Sequence, residues 1–280
     1  MIRPAFDIVY PNLTDEARMQ CQLVIEISDR LFSYILFNRE EKSLFCLRQY
    51  HFDWIAKNTT AEQLEQLINL DPYLQHPVKD VVVIYNYPES NLIPEQHFHI
   101  SMNKSLTELV YGHAKKGLVV SEKVKGWDLY NVYRIPREVH TRMQQRFSAG
   151  KYWHFYTLLL SGDKMTEKDR CMLVFYSDRF ICRLFSKGRL QMMQTWLYET
   201  PEDVSYYLLS LCTQFGLNQE TFPLKLSGLI DEKSTLYTEL MKYFQHVEAD
   251  QVPDDIHTNQ LLDEYPAHYF SPLLKMAECV

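Results

Sequence analysis

Two stretches of this chain, "CQLVIEISDRLFSYILF" from Cys21 and "CMLVFYSDRFICRLF" from Cys171, spell nearly the same hairpin about half the chain apart. A supersecondary unit written twice predicts two related bodies, each with its own sheet. Ser-Asp-Arg recurs at 28–30 and 177–179, an offset of 149, while the Cys-x-Leu-Val before it recurs at 150. The two copies therefore run in parallel with a one-residue slip. At 280 residues the chain has the length at which single cores stop growing and divide.

Beyond each hairpin the text also recurs in order. A β-rich run ("LFSYILFN", "FICRLFS"), a polar turn ("REEK", "KGR") and a third run ("SLFCLRQYHF", "LQMMQTWLY") read as a three-stranded meander. Ser-Asp falls at the first bend, where Asp tolerates left-handed backbone. Helical patterns come after the meander, "TTAEQLEQLINL" with Thr60 as N-cap and "TPEDVSYYLLSLCTQFG" with Thr200 as N-cap and Gly216 as the stop. Short apolar runs, "DVVVIYN" and "FPLKLSG", suit buried parallel strands. A second helix comes next, around "SLTELVYGHAKK" and "STLYTELMKYFQ", which share Thr-Glu-Leu at 107–109 and 238–240, and then a last strand, "LYNVYRIP" or "VEADQV".

The expected fold is thus α/β and duplicated, each lobe a mixed sheet in β-β-β-α-β-α-β order with crossover helices on its faces. Residues 1–148 form the first lobe, with "YPESNLIPEQHFHISMNK" and "GLVVSEKVKG" as an insertion carrying its own strand. The helices "PREVHTRMQQRF", with Pro136 in its first turn, and "YWHFYTLLLSG" lead across near residue 148. Residues 149–280 form the second lobe and a C-terminal tail from Pro253, expected to pack back on the first.

Composition narrows the function. Hydrophobic residues make up 46% and charged residues 23%, the balance of a chain that folds. The net charge of −7, with no Lys/Arg run longer than a pair, gives no electrostatic footprint for nucleic acid. No stretch suits a signal peptide or a membrane span, so direct membrane insertion is not expected and a cytoplasmic location is. The six cysteines are widely spaced without a CxxC, which reads as reduced thiols, mostly in the core.

The unit order and the fragments "NLIPEQHF", "NVYRIPREV" followed by "YWHFYTLLLSG", "LKLSGLIDEKSTLYTELMKYF" and the Cys279 ending carry a resemblance. The chain resembles the actin-like ATPases, the superfamily with the ribonuclease H-like sheet, and within it the assembly proteins of bacterial division and type IV pili. At the finest level it is similar to a bacterial family of this length and fold with no assigned activity. The resemblance implies an interlobe cleft that binds ATP and Mg2+, with an Asp-x-Gly turn at the first hairpin of each lobe.

Here the matching letters are Glu26-Ile27-Ser28 and Phe175-Tyr176-Ser177, without glycine. A side chain at that place obstructs the close approach of backbone to phosphate, and Phe175 cannot hold a metal-bound water. The adenosine-side motif keeps one of two glycines, in Leu226-Ser227-Gly228-Leu229. The cleft residues are therefore Glu26, Ser28, Asp29 and Arg30 of one copy and Ser177, Asp178, Arg179, Ser227 and Gly228 of the other. No catalytic residue and no cofactor is expected. The reading is a non-catalytic scaffold or adaptor with degenerate phosphate turns, monomeric or homodimeric, acting on an unidentified protein partner. Two alternatives stand beside it: a divergent phosphohydrolase positioning Mg2+ with Glu26 and Asp29, and a small-anion sensor using Arg30 and Arg179. As plain structure, Asp29 and Asp178 are turn-formers and the arginines solvated strand starts.

Other constellations are weaker. His97 and His99, near Glu95, would share a strand face but have no third ligand at metal spacing. His154 reads as a packed interlobe histidine rather than a base. There is no GxSxG, HExxH or GxxxxGK[ST], and all eight glycines are isolated, which removes Rossmann and P-loop readings. Glu26 with Asp29, Asp178 or Asp231 lacks the strand-centre aspartates of a nuclease. Tyr and Trp near "YHFDW" or "EYPAHYF" are candidates for a protein-binding patch.

Overall fold

Both hairpins open the sheet their sequences predict. The computed structural model describes residues 3–53, 58–163 and 168–280. Two units divide the chain: Met1–Gly162 with Asp254–Leu262 and Met276–Val280, and Asp163–Pro253 with Asp263–Lys275.

The first unit begins with β1 (Phe6–Val9), α1 (Asp15–Met19), β2 (Gln22–Ile27), β3 (Leu31–Asn38) and β4 (Ser43–His51). It continues through α2 (Thr60–Leu70), α3 (Pro72–Gln75), β5 (Asp80–Tyr85), β6 (Ser90–Pro94), α4 (Asn103–Tyr111), β7 (Gly117–Lys123), β8 (Leu129–Pro136), α5 (Arg137–Arg146), β9 (Lys151–His154) and α6 (Phe155–Gly162). Its main sheet has the order β1-β4-β3-β2-β5-β9, and β6-β8-β7 form a separate antiparallel sheet. The second unit runs β10 (Arg170–Phe175), β11 (Arg179–Ser186), β12 (Arg189–Leu197), α7 (Pro201–Phe215), β13 (Leu224–Gly228), α8 (Thr235–Met241) and β14 (Val247–Ala249), in the order β12-β11-β10-β13-β14. A last helix, α9 (Ser271–Cys279), is shared between the units.

In each sheet the first meander strand lies at the centre, antiparallel to the second and parallel to the strand after the helix. That place is covered on both faces, and all six residues of β2 are buried, Gln22 and Glu26 included. Leu23, Ile25 and Ile27 face α2 and α5, joining Leu64, Leu67, Val139 and Met143 in one core; Cys171, Leu173 and Phe175 meet Val204, Leu208 and Leu240 of α7 and α8 in the other.

The pairing corrects the register of the repeat. Ile27 pairs with Phe32 as Phe175 pairs with Phe180, and a register shift falls at Leu36/Phe37 as at Leu184/Phe185. Equivalent positions are therefore 148 apart, not 149 or 150. Core-facing positions are odd-numbered in both strands, so an offset of 149 would set core side chains against those of the opposite face, and the pairing itself decides between 148 and 150. Ser28 corresponds to Tyr176, Asp29 to Ser177, Arg30 to Asp178 and Leu31 to Arg179; Leu23, not Cys21, corresponds to Cys171.

Several expectations move with it. The last strand of the first repeat is β9, within a segment expected to be helical, and the helix before it is α5; "LYNVYRIP" is β8 of the separate sheet, and α4 belongs to that insertion. The first unit accordingly runs to Gly162 rather than 148. The tail returns to the first unit only at 254–262 and from 276, while 263–275 belongs to the second. The N-cap of α2 is Thr59, which closes a capping box with Glu62, not Thr60; Thr200 does the same with Asp203, and Gly216 caps α7 in the left-handed region. Neither first bend holds a left-handed residue. The second bends do, at Lys42 (φ 49°) and at Lys187 and Gly188 (φ 52° and 70°), the latter pair fitting a two-residue hairpin turn.

Tyr50 and Phe52 of the first aromatic stretch belong to the core, and Trp54 lies outside the described residues; in the second, His268 and Phe270 are buried while Tyr265 and Tyr269 are half-buried. His97 ends a short 3-10 turn, and among the described residues no group of His, Cys, Asp and Glu could hold a metal. Five cysteines are buried and Cys279 is exposed, all of them free thiols. No helix of the described residues is long and apolar enough to cross a membrane.

Candidate functional site

The first hairpin bend of the first unit, residues 28–30, is closed by its own serine. Ser28 is fully buried, and its Oγ accepts from the Leu31 N–H at 3.0 Å and the Arg30 N–H at 3.3 Å. The Ser28 N–H donates to the Leu31 carbonyl at 2.8 Å. These are the amides a phosphate loop would aim outward. Beside the bend, Asn86 Nδ2 donates to Glu26 Oε1 at 2.7 Å, with Glu26 95% buried and Asn86 placed directly after β5. Asp29 and Arg30 are exposed. Asn86 was not foreseen; its place after the apolar run "DVVVIY" is the signal that could have found it.

The bend of the second unit, residues 176–178, is walled by aromatic rings. Phe175 is fully buried and stacks on Phe180 at 5.6 Å, with Tyr198 edge-on at 6.4 Å. Tyr198 ties the bend through its hydroxyl to the Tyr176 carbonyl (2.7 Å) and its N–H to the Asp178 carbonyl (3.1 Å). Arg179 opens β11 as a buried residue, its guanidinium carbon 5.4 Å from the centre of the Tyr176 ring. It is not the counterpart of exposed Arg30, and the two do not make an equivalent pair. Ser177 is exposed and Asp178 half-buried.

Gly228 ends β13 at φ +77°, and a Cβ there would lie 2.2 Å from the Phe175 carbonyl oxygen. The Leu229 N–H donates to that same oxygen at 2.8 Å, and Ser227 Oγ donates to the Leu173 carbonyl at 2.9 Å. Backbone-to-backbone contact inside the unit thus accounts for this glycine without a nucleotide. Nor do the two bends fit an ATP·Mg2+ group. One has turned three amides inward, and the other has Val174 at the place of Glu26, with no carboxylate there to hold hydrated metal.

A second polar cluster lies between the insertion and the β9–α6 junction. Glu122 accepts from the His154 N–H at 2.8 Å and the Tyr133 hydroxyl at 3.2 Å, and burial pushes its carboxyl up to about 7. His154 is fully buried in the first unit; its Nδ1 accepts from the Tyr156 N–H (3.1 Å), so Nε2 carries the proton donated to the Tyr87 carbonyl (3.0 Å). Burial holds this imidazole down at about 3. Sealed from solvent, the neutral ring serves packing and hydrogen bonding.

Two copies of a sheet ordered third-second-first-fourth-fifth, each opening on a hairpin bend, define the actin-like ATPase fold. A Bacteroides thetaiotaomicron VPI-5482 protein with an actin-like ATPase fold and unknown function is similar at a TM-score of 0.75 and 19% identity, over 91% of this chain and 99% of that one. The PilM-PilN type IV pilus biogenesis complex matches at 0.54 and 10%, covering 93% and 98%, and the ethanolamine utilization protein EutJ from Carboxydothermus hydrogenoformans at 0.53 and 6%, covering 98% and 93%. No functionally curated protein matches. The chain itself belongs to the family described as protein of unknown function (DUF3822), whose pattern matches residues 11–247.

Proposed function

We propose that this protein is a non-catalytic actin-like scaffold or adaptor, its nucleotide turns converted to structure and its work done by binding protein. The observation that carries the reading is the bend at Ser28, where a buried hydroxyl takes the N–H groups that would have to wrap a phosphate. Supporting it, Val174 stands at the place of Glu26 in the second unit and Tyr176 at that of Ser28, and Glu26 is engaged by Asn86. Within the same fold, the neighbour PilM is found with PilN in a type IV pilus biogenesis complex.

The test is a thermal melt of the full chain with and without millimolar ATP and Mg2+. A ligand at a hundred times its Kd stabilises the folded state by about 2.7 kcal/mol, enough to move the midpoint by several degrees. The expected result is no shift. A rise of several degrees that disappears in Glu26→Ala would replace the adaptor with a nucleotide-binding enzyme.

A further inference from the structure

At the far end of β2 from the Ser28 bend lies a buried amide that no protein group satisfies. Gln22 is 2% exposed, and neither its Oε1 nor its Nε2 has a hydrogen-bond partner in the protein. A buried amide in that state weakens the fold, and such groups are rare enough that each needs a reason. Register fixes where this one stands. Gln22 is paired with Phe37 of β3 and Asp80 of β5, and it faces the side of the sheet opposite to Leu23, Ile25 and Ile27. With a strand hydrogen-bonded on each flank, the side chain is what Gln22 presents to that face.

The second repeat supplies the comparison. Gln22 corresponds to Arg170, which pairs with Phe185 as Gln22 pairs with Phe37. The Arg170 guanidinium carbon lies 4.1 Å from the centre of the Phe185 ring, a cation–π contact inside its own unit. An amide cannot take up that contact, and in the first unit Gln22 lines a cavity of about 390 Å³, the size of a small-molecule site. The other walls are Gln20, Arg39, Glu40, Lys79 and Asp80, all exposed, so Gln22 is the floor.

The charges of the walls select the ligand. Lys79 Nζ is paired with Glu40 Oε1 at 2.6 Å. Arg39 donates one bond, to the Glu278 carbonyl at 3.3 Å, and keeps further N–H groups of its fork. Asp80 pairs with no cation among the described residues and stands beside Gln22 in the register. A guanidinium and a carboxylate thus remain above an amide that offers a donor next to an acceptor. Arg39 suits a carboxylate, Asp80 an ammonium, and Gln22 a second amide in a two-bond contact. A plain anion would meet Glu40 and Asp80, and a plain cation Arg39 and Lys79. We propose that this cavity binds a small zwitterion carrying an amide, either a free amino acid of the glutamine type or a dipeptide. The site goes beyond the adaptor reading and is independent of whether the bends bind nucleotide.

Titration calorimetry of the full chain with L-glutamine, glycylglycine and L-glutamate tests it. At least one of the first two is expected to bind with a Kd below about 1 mM, the tighter one showing whether a side-chain or a main-chain amide is read. L-glutamate, which puts a carboxylate where the amide donor would be, is expected to bind at least about tenfold more weakly. Gln22→Met is expected to abolish binding while holding or raising the urea midpoint, because it removes an unsatisfied amide at similar volume. Arg39→Ala, at an exposed site where folding is not at stake, is expected to weaken binding about tenfold. Four results would each overturn the proposal: no binding of either amide, as for a cavity holding water only; L-glutamate bound as tightly; affinity unchanged in Gln22→Met or Arg39→Ala; or a lower urea midpoint in Gln22→Met, the mark of an amide satisfied within the fold.

Discussion

At Gly228 two demands coincide, a left-handed backbone and a clear path to the Phe175 carbonyl. Gly228→Ala is expected to cost about 2–4 kcal/mol, read as a lower urea midpoint at unchanged slope. Glu122 and His154 set a pH signature of their own. A carboxyl raised from 4.5 to about 7 in the fold binds more protons there than in the unfolded chain, so its contribution falls as pH rises through that window. An imidazole lowered from 6.5 to about 3 does the opposite, adding stability as pH rises from 3 to 6.5. Their slopes add to a rise from pH 3 to 4.5 and cancel between 4.5 and 6.5. In Glu122→Gln the rise is expected to continue to pH 6.5, measured by urea unfolding across pH against the parent chain. Little of this was legible beforehand. That both first bends lack glycine could be read from the letters; that Ser28 takes the amides of its own bend, or that Arg179 is buried while Arg30 is not, depends on three-dimensional neighbours.

Among the elements, order was readable and register was not. Ser-Asp-Arg, Cys-x-Leu-Val and Thr-Glu-Leu each match as text, yet none of the three aligns equivalent positions. Thr107 and Leu109 lie on α4 of the insertion, Leu109 82% exposed, whereas Glu239 and Leu240 are buried in α8. The alternation of core-facing residues, Leu23-Ile25-Ile27 against Cys171-Leu173-Phe175, is the better guide, since it answers to packing instead of spelling. β9 was missed because four strand residues run directly into α6 with no turn signal between them. For α2 the pattern puts the N-cap at Thr60, one residue late, and the reciprocal bonds with Glu62 place it at Thr59. Thr59→Ala should therefore cost about 1 kcal/mol and Thr60→Ala within about 0.5, a difference that thermal melts of the two variants resolve.

For the whole chain, the tail is a shared structural part. Leu262, Met276 and Ala277 are buried residues of the first unit, and Phe270, Leu273 and Leu274 of the second. A chain ending at Pro253 is expected to lose its cooperative thermal transition, followed by circular dichroism, since both cores open at once. The length and the twofold repeat made two bodies legible, but not that residues after 253 would be divided between them. One consequence concerns synthesis. Residues beside His257 seal the β3–β4 bend, with His257 exchanging N–H···O bonds with Lys42 and Leu44 at 2.7 and 2.8 Å. On the ribosome, where domains commonly finish in the order they emerge, the earlier body here must wait with that corner open until nearly all of the later one has been made.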